Sequence, residues 1–415
     1  MTEASTGDRL CPRDEADIVE AVRWAVAQAR TLDVAGSLSK AGLGRPIQTD
    51  LTLELKGLTG VTLYEPEELV LSAKAGTPVA EIEATIAASS QMMAFEPMDY
   101  GPLFGRPAGL GTLGGVMACN LAGPRRPSAG AARDHALGLR AVSGRGEAFK
   151  AGGRVVKNVT GYDLPRGLAG SHGTLAAFTE LTIKVLPRPE TVETLLVLGL
   201  DAGAAAGAMS AATGSYYDVS GAAHLPAEVA ARVPAVAGSG QSVTALRLEG
   251  VLPSILHRRG KLEEMLRASG TLAHLEAADS RAFWQAVRDV APFALPEGSD
   301  AESAPAVWRV SVAPMAGPGI GAALTQAGAR CFYDWAGGLV WIEMPDGTPH
   351  TALVRGAVAA AGGGHATLVR APRATRAAEE VFQPLDPVTA MLVKRMKDGF
   401  DPGRVLSPGR MYAGM

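Results

Sequence analysis

The stretch GLGTLGGVMACNLAGPRR, Gly109–Arg126, decides how the rest of the chain is read. Gly109, Gly111 and Gly114 fall on the G-x-G-x-x-G spacing, with Gly115 beside them. That fingerprint has meaning only in context. A hydrophobic strand must run into the first glycine, and an acidic residue must close a second strand about 20 positions on. Before Gly109 stand Pro102, Gly105, Arg106 and Pro107, which cannot form a buried parallel strand. Asp134 has the spacing, yet it lies between Arg133 and His135, ahead of a strand instead of ending one. The context argues against a Rossmann turn. The chemistry of the segment survives: glycines let the backbone approach a diphosphate, and successive N–H groups in a turn form an anion-binding concavity. GSLSKAGLG, Gly36–Gly44, offers the same and adds Ser37, Ser39 and the Lys40 ammonium. Two such loops on separate strands could grip one extended dinucleotide; read singly, each is equally well a tight turn.

Outward from these loops the chain reads as mixed α and β. Asp14–Arg30 is an amphipathic helix, with Ile18, Val19, Val22, Val26 and Ala29 at helical spacing and Asp14 as N-cap. LDVAG, LTLEL and GVTLY are short strands. ELVLSAKAGTPVAEIEATI reads as strand, Gly-Thr-Pro turn and helix, with Pro78 near the first helical turn, where its missing N–H costs little. HALGLRAVSGRGEAFKAGG predicts two strands about a Ser143–Gly146 turn, and AAFTELTIKVLPRP a further strand closed by prolines. After Pro189 the texture becomes Ala- and Gly-rich. There SVTALRLEG and GLVWIEMP are strand candidates, with helices near Ile255–Ala268 and Arg281–Val290. This predicts an α+β chain in three parts, 1–190, 191–375 and a C-terminal segment 376–415.

Composition excludes several classes. The net charge of −3, without a run of Lys or Arg, gives nucleic acid or an acidic membrane surface no footprint. Cys11, Cys119 and Cys331 are too few for a four-cysteine iron–sulfur cluster and lack zinc spacing with any His. They are no disulfide scaffold either, so a reducing compartment is expected. The N-terminal MTEASTGDRLCPRDEAD lacks the apolar core of a signal peptide. LLVLGLDAGAAAGAM is cut by Asp201 and too short to span a bilayer. A cytoplasmic chain is expected.

Taken in order, these segments resemble the FAD-binding domain of the vanillyl-alcohol oxidase / p-cresol methylhydroxylase (PCMH-type) superfamily, and within it the FAD-binding subunits of bacterial glycolate oxidase. The likeness is carried by GSLSKAGLGRP, ELVLSAKAGTPVAEIEATI, GTLGGVMACNLAGPRRPSAGAARDHALGLRAVSGRGE, GGRVVKNVTGYDLPRGLAGSHGTLAAFTELTIKVLPRP and the C-terminal FDPGRVLSPGRMY. It spans most of residues 14–189 and the tail. It implies FAD held between two α+β subdomains, followed by a smaller α+β cap. Carried over residue by residue, Gly36, Ser37, Leu38, Ser39 and Lys40 would wrap the pyrophosphate. Thr112, Gly114, Gly115 and Asn120 would line the flavin and ribityl side. Gly161, Tyr162 and Asp163, with Gly170 and Gly173, would form a later wall, and the backbone near Ala177 and Phe178 would meet the adenine. The first loop lacks the His by which some relatives attach FAD covalently, so dissociable FAD is implied. Cys119 reads better as a small buried residue than as an attachment point.

The resemblance also implies 2-hydroxy acid oxidation: glycolate to glyoxylate, in a complex with a catalytic FAD subunit and an iron–sulfur subunit. Attachment to the inner membrane, if any, would run through those partners. Catalytic relatives carry a His-containing GDGN-x-H type segment in the cap, which this chain lacks between Pro189 and Asp401. His224, His257, His274, His350 and His365 stand isolated, and His172 in GSHG reads as a pocket-shaping residue. Ser407 replaces the usual Asn of the closing N-P-G, which questions any hydrogen bond carried over for that side chain. No catalytic residue is assigned. Two other functions fit the same residues: a self-sufficient FAD-dependent 2-hydroxyacid dehydrogenase, and an assembly subunit that has lost its flavin.

Overall fold

The computed structural model describes residues 9–154 and 161–415. The N-terminal helix Glu15–Ala27 begins where Asp14 accepts a hydrogen bond from the Asp17 N–H at 2.9 Å. Its Ile18, Val22 and Ala25 are buried against a parallel sheet of Arg9–Leu10, Leu51–Glu54 and Leu32–Ala35. A second, antiparallel sheet runs in the order Val61–Glu65, Val70–Lys74, Ala176–Lys184, Ala136–Ser143, Ala148–Gly152. The helix Val79–Ala87 follows Pro78 directly, as the proline's fixed φ favours.

Between Thr191 and Arg370 the chain builds an eight-stranded antiparallel sheet. Its order is Thr271–Leu275, Thr191–Leu198, Val243–Gly250, Gly221–Leu225, Arg330–Asp334, Leu339–Met344, Ala306–Ser311, His365–Arg370. Strand alternation divides its side chains between two faces. Trp308 and Val310 point to a helix-covered face, where the helices Ala202–Thr213, Leu252–Leu266, Gly317–Thr325 and Thr351–Ala360 contribute Met209, Ile255, Ile320 and Val354. Val307, Phe332, Trp341 and Val369 point the other way. They share one continuous core with Phe95, Leu103, Leu113 and Val116 from the glycine-loop half. Each fully buried side chain of this kind stabilises the fold by about 1.5–3 kcal/mol. The two halves are therefore welded by a common core, and any cavity between them has rigid walls.

The tail returns to the start. The amide of Leu32 donates to the Val405 carbonyl at 2.7 Å, and that of Ser407 to the Leu32 carbonyl at 2.8 Å. Lys397 and Asp401, both essentially inaccessible, form an ion pair at 2.6 Å at the end of the helix Pro387–Phe400. Lys397 Nζ also donates to the carbonyls of Thr174 at 2.6 Å and Leu406 at 3.0 Å, and Asp401 accepts from the amides of Val405 and Leu406. Among the described residues no helix is long and apolar enough to cross a membrane.

Candidate functional site

The opening glycine stretch is not preceded by a strand: a short 3-10 turn, Pro102–Phe104, stands there. Thr112 caps the helix Leu113–Ala118, its Oγ1 accepting from the Gly115 N–H at 3.3 Å. Gly114 packs so closely on the end of a neighbouring strand that an added Cβ would lie 2.9 Å from the Ala75 carbonyl oxygen. The first loop lies against this helix. Ser37 Oγ donates to the Leu110 carbonyl, and Arg106 donates to the Leu38 carbonyl at 2.9 Å. A Cβ at Gly36 would meet Thr112 Oγ1 at 2.7 Å, and one at Gly115 would meet Lys40 Nζ at 3.1 Å. Leu38 adopts φ +60°, a left-handed conformation that aims the loop backbone.

Together these loops line one cradle. Of the residues singled out in the sequence, Gly36, Ser37, Leu38, Ser39, Lys40, Thr112, Gly114, Gly115, Gly173 and Phe178 line it. Asn120 and Gly170 line the cavity next door. The Ala177 side chain points away, into the core around Ile18 and Val142. Tyr162 is 86% exposed, and Asp163 caps the helix Leu164–Leu168, accepting from the Arg166 N–H. Gly161 has φ +94° and no neighbour to a built Cβ.

The tail completes the cradle. Ser407 Oγ accepts from the Val34 N–H at 3.0 Å, so serine supplies a side-chain acceptor where the family motif carries Asn. Arg410 lines the cradle and pairs with Asp33. Lys40 has no carboxylate partner among the described residues; its Nζ donates to Ser39 Oγ at 3.3 Å. The donor set fits an extended dinucleotide: backbone approaches that no side chain could share, one free ammonium and one guanidinium.

Cys119 and His172 form the end wall, Sγ to Nδ1 3.8 Å. Burial, reinforced by the charges of Arg410 and Lys40, lowers the His172 pKa to about 4, so the ring is neutral at pH 7. Burial also raises the Cys119 thiol above its ordinary value, against the pull of Lys40 and Arg410. A protonated thiol is a poor nucleophile.

Leu43, Cys119 and His172 also line a second cavity between the glycine-loop half and the eight-stranded sheet. Beside Asn120 and His172, its polar lining was not legible in the sequence: Arg126, Arg288, Arg309, Asp334, Tyr100 and Thr367. Burial raises the Asp334 pKa to about 7, offset in part by the Trp335 N–H that its Oδ1 accepts at 2.7 Å. The one sequence signal was Arg309, a lone charge inside the apolar strand AVWRVS. The cap histidines play no part here. His224 is buried with Nδ1 2.9 Å from Thr244 Oγ1, and His257, His274 and His365 are exposed.

Residues 9–152 match the FAD binding domain family. Among solved structures, p-cresol methylhydroxylase with substrate bound superposes with a TM-score of 0.73 at 14% identity, covering 98% of this chain and 88% of that one. Alkyldihydroxyacetonephosphate synthase superposes at 0.67 and 14% identity, over 96% of this chain and 75% of that one. The fold is of the PCMH type, and the FAD binding domain together with the curated relatives makes the chain an FAD-dependent oxidoreductase. The chain is 33% identical to the glycolate oxidase subunit GlcE of Escherichia coli (strain K12) over 410 residues, 98% of this chain and 99% of that protein. It belongs to the GlcE family of glycolate oxidase subunits. The glycolate oxidase subunit GlcD of Bacillus subtilis (strain 168) is 33% identical over 165 residues, 40% of this chain and 33% of that protein.

Proposed function

We propose that this chain is the FAD-binding subunit of a multi-subunit glycolate oxidase, supporting oxidation of glycolate to glyoxylate and handing electrons to partner subunits. The partners in this reading are a GlcD-type catalytic subunit and an iron–sulfur subunit, assembled on the cytoplasmic side. The observation that carries it is the cradle, where Gly36 and Gly114 leave no room for a Cβ, Gly115 lies against Lys40, and Lys40 has no carboxylate partner among the described residues. Residues 36–40 would hold the pyrophosphate through backbone N–H groups, with Lys40 balancing its charge. Thr112 and Gly115 would flank the ribityl chain, while neutral His172 and the Cys119 thiol close the flavin end. Bound FAD supplies the hydride acceptor and the electron relay. Its binding is dissociable, since the first loop offers Ser and Lys and the thiol beside it is protonated. In domain terms, 1–190 holds the cofactor, 191–375 is the cap, and 376–415 returns to the cofactor half; the tail's bonds to Leu32 and Val34 support that division.

The test is an absorption spectrum of the purified chain supplied with FAD, before and after anaerobic glycolate, alone and with the GlcD-type subunit. Flavin bands that persist alone and bleach with the partner support the proposal. A chain that takes up no flavin overturns it.

A further inference from the structure

Deep arginines in this protein are paired almost everywhere. Arg125 meets Glu96 at 2.7 Å, Arg247 meets the same carboxylate at 2.9 Å, and Arg288 meets Asp289 at 2.8 Å. Arg126 and Arg309 break the pattern. Among the described residues neither side chain has a carboxylate within ion-pair distance or a hydrogen-bond acceptor, and both line the cavity between the two halves. They come from opposite sides: Arg126 opens the short helix Arg126–Ala129, and Arg309 stands on the sheet, opposite Trp341 and Thr367 in register. Their guanidinium carbons lie over one ring, that of Trp335, at 4.6 and 5.0 Å from its centroid.

The backbone is bent to achieve this. Trp335 and Ala336 both take left-handed φ, +52° and +56°, and Trp335 Nε1 is anchored on the Gly123 carbonyl at 3.0 Å. Consecutive non-glycine residues in that region cost about 1–3 kcal/mol each and concentrate where a site needs them. Two like charges held together in a recess, with five planar N–H donors apiece and no acceptor, are an arrangement that a planar anion would complete. Among the described residues one carboxyl lines the same cavity, that of Asp334; it spends Oδ1 on the Trp335 N–H and couples to Arg309 through charge alone, without an ion pair.

We infer that this cavity is a binding site for a small carboxylate, held by Arg126 and Arg309, so that the chain carries its own site for a 2-hydroxy acid. The choice of 2-hydroxy acid rests on the flavin reading above, because the cavity joins the cradle at Leu43, Cys119 and His172. The anion site itself rests on the arginines alone.

The test is calorimetric titration of the full chain, flavin-loaded and flavin-free, with oxalate, which cannot be oxidised as a 2-hydroxy acid. Inorganic phosphate and sulfate serve as competing anions. Arg309→Met and Arg126→Met should each weaken oxalate roughly 10- to 100-fold, the range for a lost charge-assisted hydrogen bond. Arg309→Lys, which keeps the charge, should restore part of that loss and guards against a variant that fails to fold. Oxalate should also change the tryptophan fluorescence of wild-type chain, and Trp341→Phe, at the tryptophan that lines the cavity opposite Arg309, should reduce that change. No oxalate binding, wild-type oxalate affinity in the two Met variants, or tighter binding of phosphate or sulfate would overturn the inference. Flavin content is read separately, so a colourless chain that still binds oxalate defeats the cofactor reading and leaves this one standing.

Discussion

The cradle and the cavity beside it share Leu43, Cys119 and His172, yet they are made of opposite materials. The cradle is backbone: its shape depends on glycines at which a Cβ would strike Thr112, Ala75 or Lys40. The cavity is side chain: arginines, an aspartate and Trp341 project into it from the sheet and from the helices that face it. A backbone site is encoded in contiguous runs of sequence and tolerates little change of size. A side-chain site is assembled from distant positions and answers to changes of charge. Substitutions should therefore separate the two, size changes acting on the first and charge changes on the second.

The largest expected effect falls on what holds the cradle closed. Lys397→Met leaves Asp401 buried without its counter-charge and should cost about 3–5 kcal/mol of stability, measured by urea unfolding. A loss below 1 kcal/mol would mean that the tail does not depend on that pair. Next, Gly114→Val forces a branched side chain against the Ala75 carbonyl and should cost about 1–3 kcal/mol, with flavin uptake impaired and oxalate affinity of the flavin-free chain retained. Loss of both functions together would erase the distinction between the sites.

Charge in the cavity should show as pH dependence. Asp334, with a folded pKa of about 7 against an ordinary carboxyl value near 3.9, keeps its proton in the folded state after the unfolded chain has released it. Its contribution is full below about pH 4 and falls away as pH rises through about 7. His172 works in the opposite sense, since its folded pKa of about 4 lies below the ordinary value and favours the folded chain as pH rises. Asp334→Asn should remove the first slope only, so its stability should rise relative to wild type between pH 5 and pH 8 in thermal melts. An unchanged difference across that range would show that the carboxyl is not held protonated. The smallest effect belongs to Thr112→Ala, a lost helix cap worth about 1 kcal/mol that should lower flavin affinity without touching oxalate.

Legibility followed the same division. The glycine-loop half was readable because strand, turn and helix signals there are local. Asp14 caps its helix, Pro78 starts another, and LVLSAK and AAFTELTIK alternate or cluster as buried strands do. The cradle residues were readable for the same reason, and the Rossmann alternative failed on the prolines and glycines before Gly109. The cap was harder. GAAHL is buried along its whole length, and AGAAAGAMSAAT carries too little contrast between faces to announce a helix. The helix Pro387–Phe400 was also overlooked, its Val388, Met391 and Leu392 being exposed instead of forming a core stripe. Arg126, Arg309 and Asp334 lie far apart in the chain; the sheet register brings Arg309 and Asp334 to one cavity, and the short helix Arg126–Ala129 adds Arg126 from the other side.

The most direct measurement is the flavin content of wild-type chain and Gly36→Val after incubation with FAD and gel filtration, each checked for folding by circular dichroism. Near-stoichiometric yellow flavin on wild type and its loss from a folded Gly36→Val is the expected result, because the valine would occupy the space at Thr112 Oγ1 that the cradle keeps clear. A colourless wild type, or a Gly36→Val chain that retains its flavin in full, would contradict a cofactor site built from these loops.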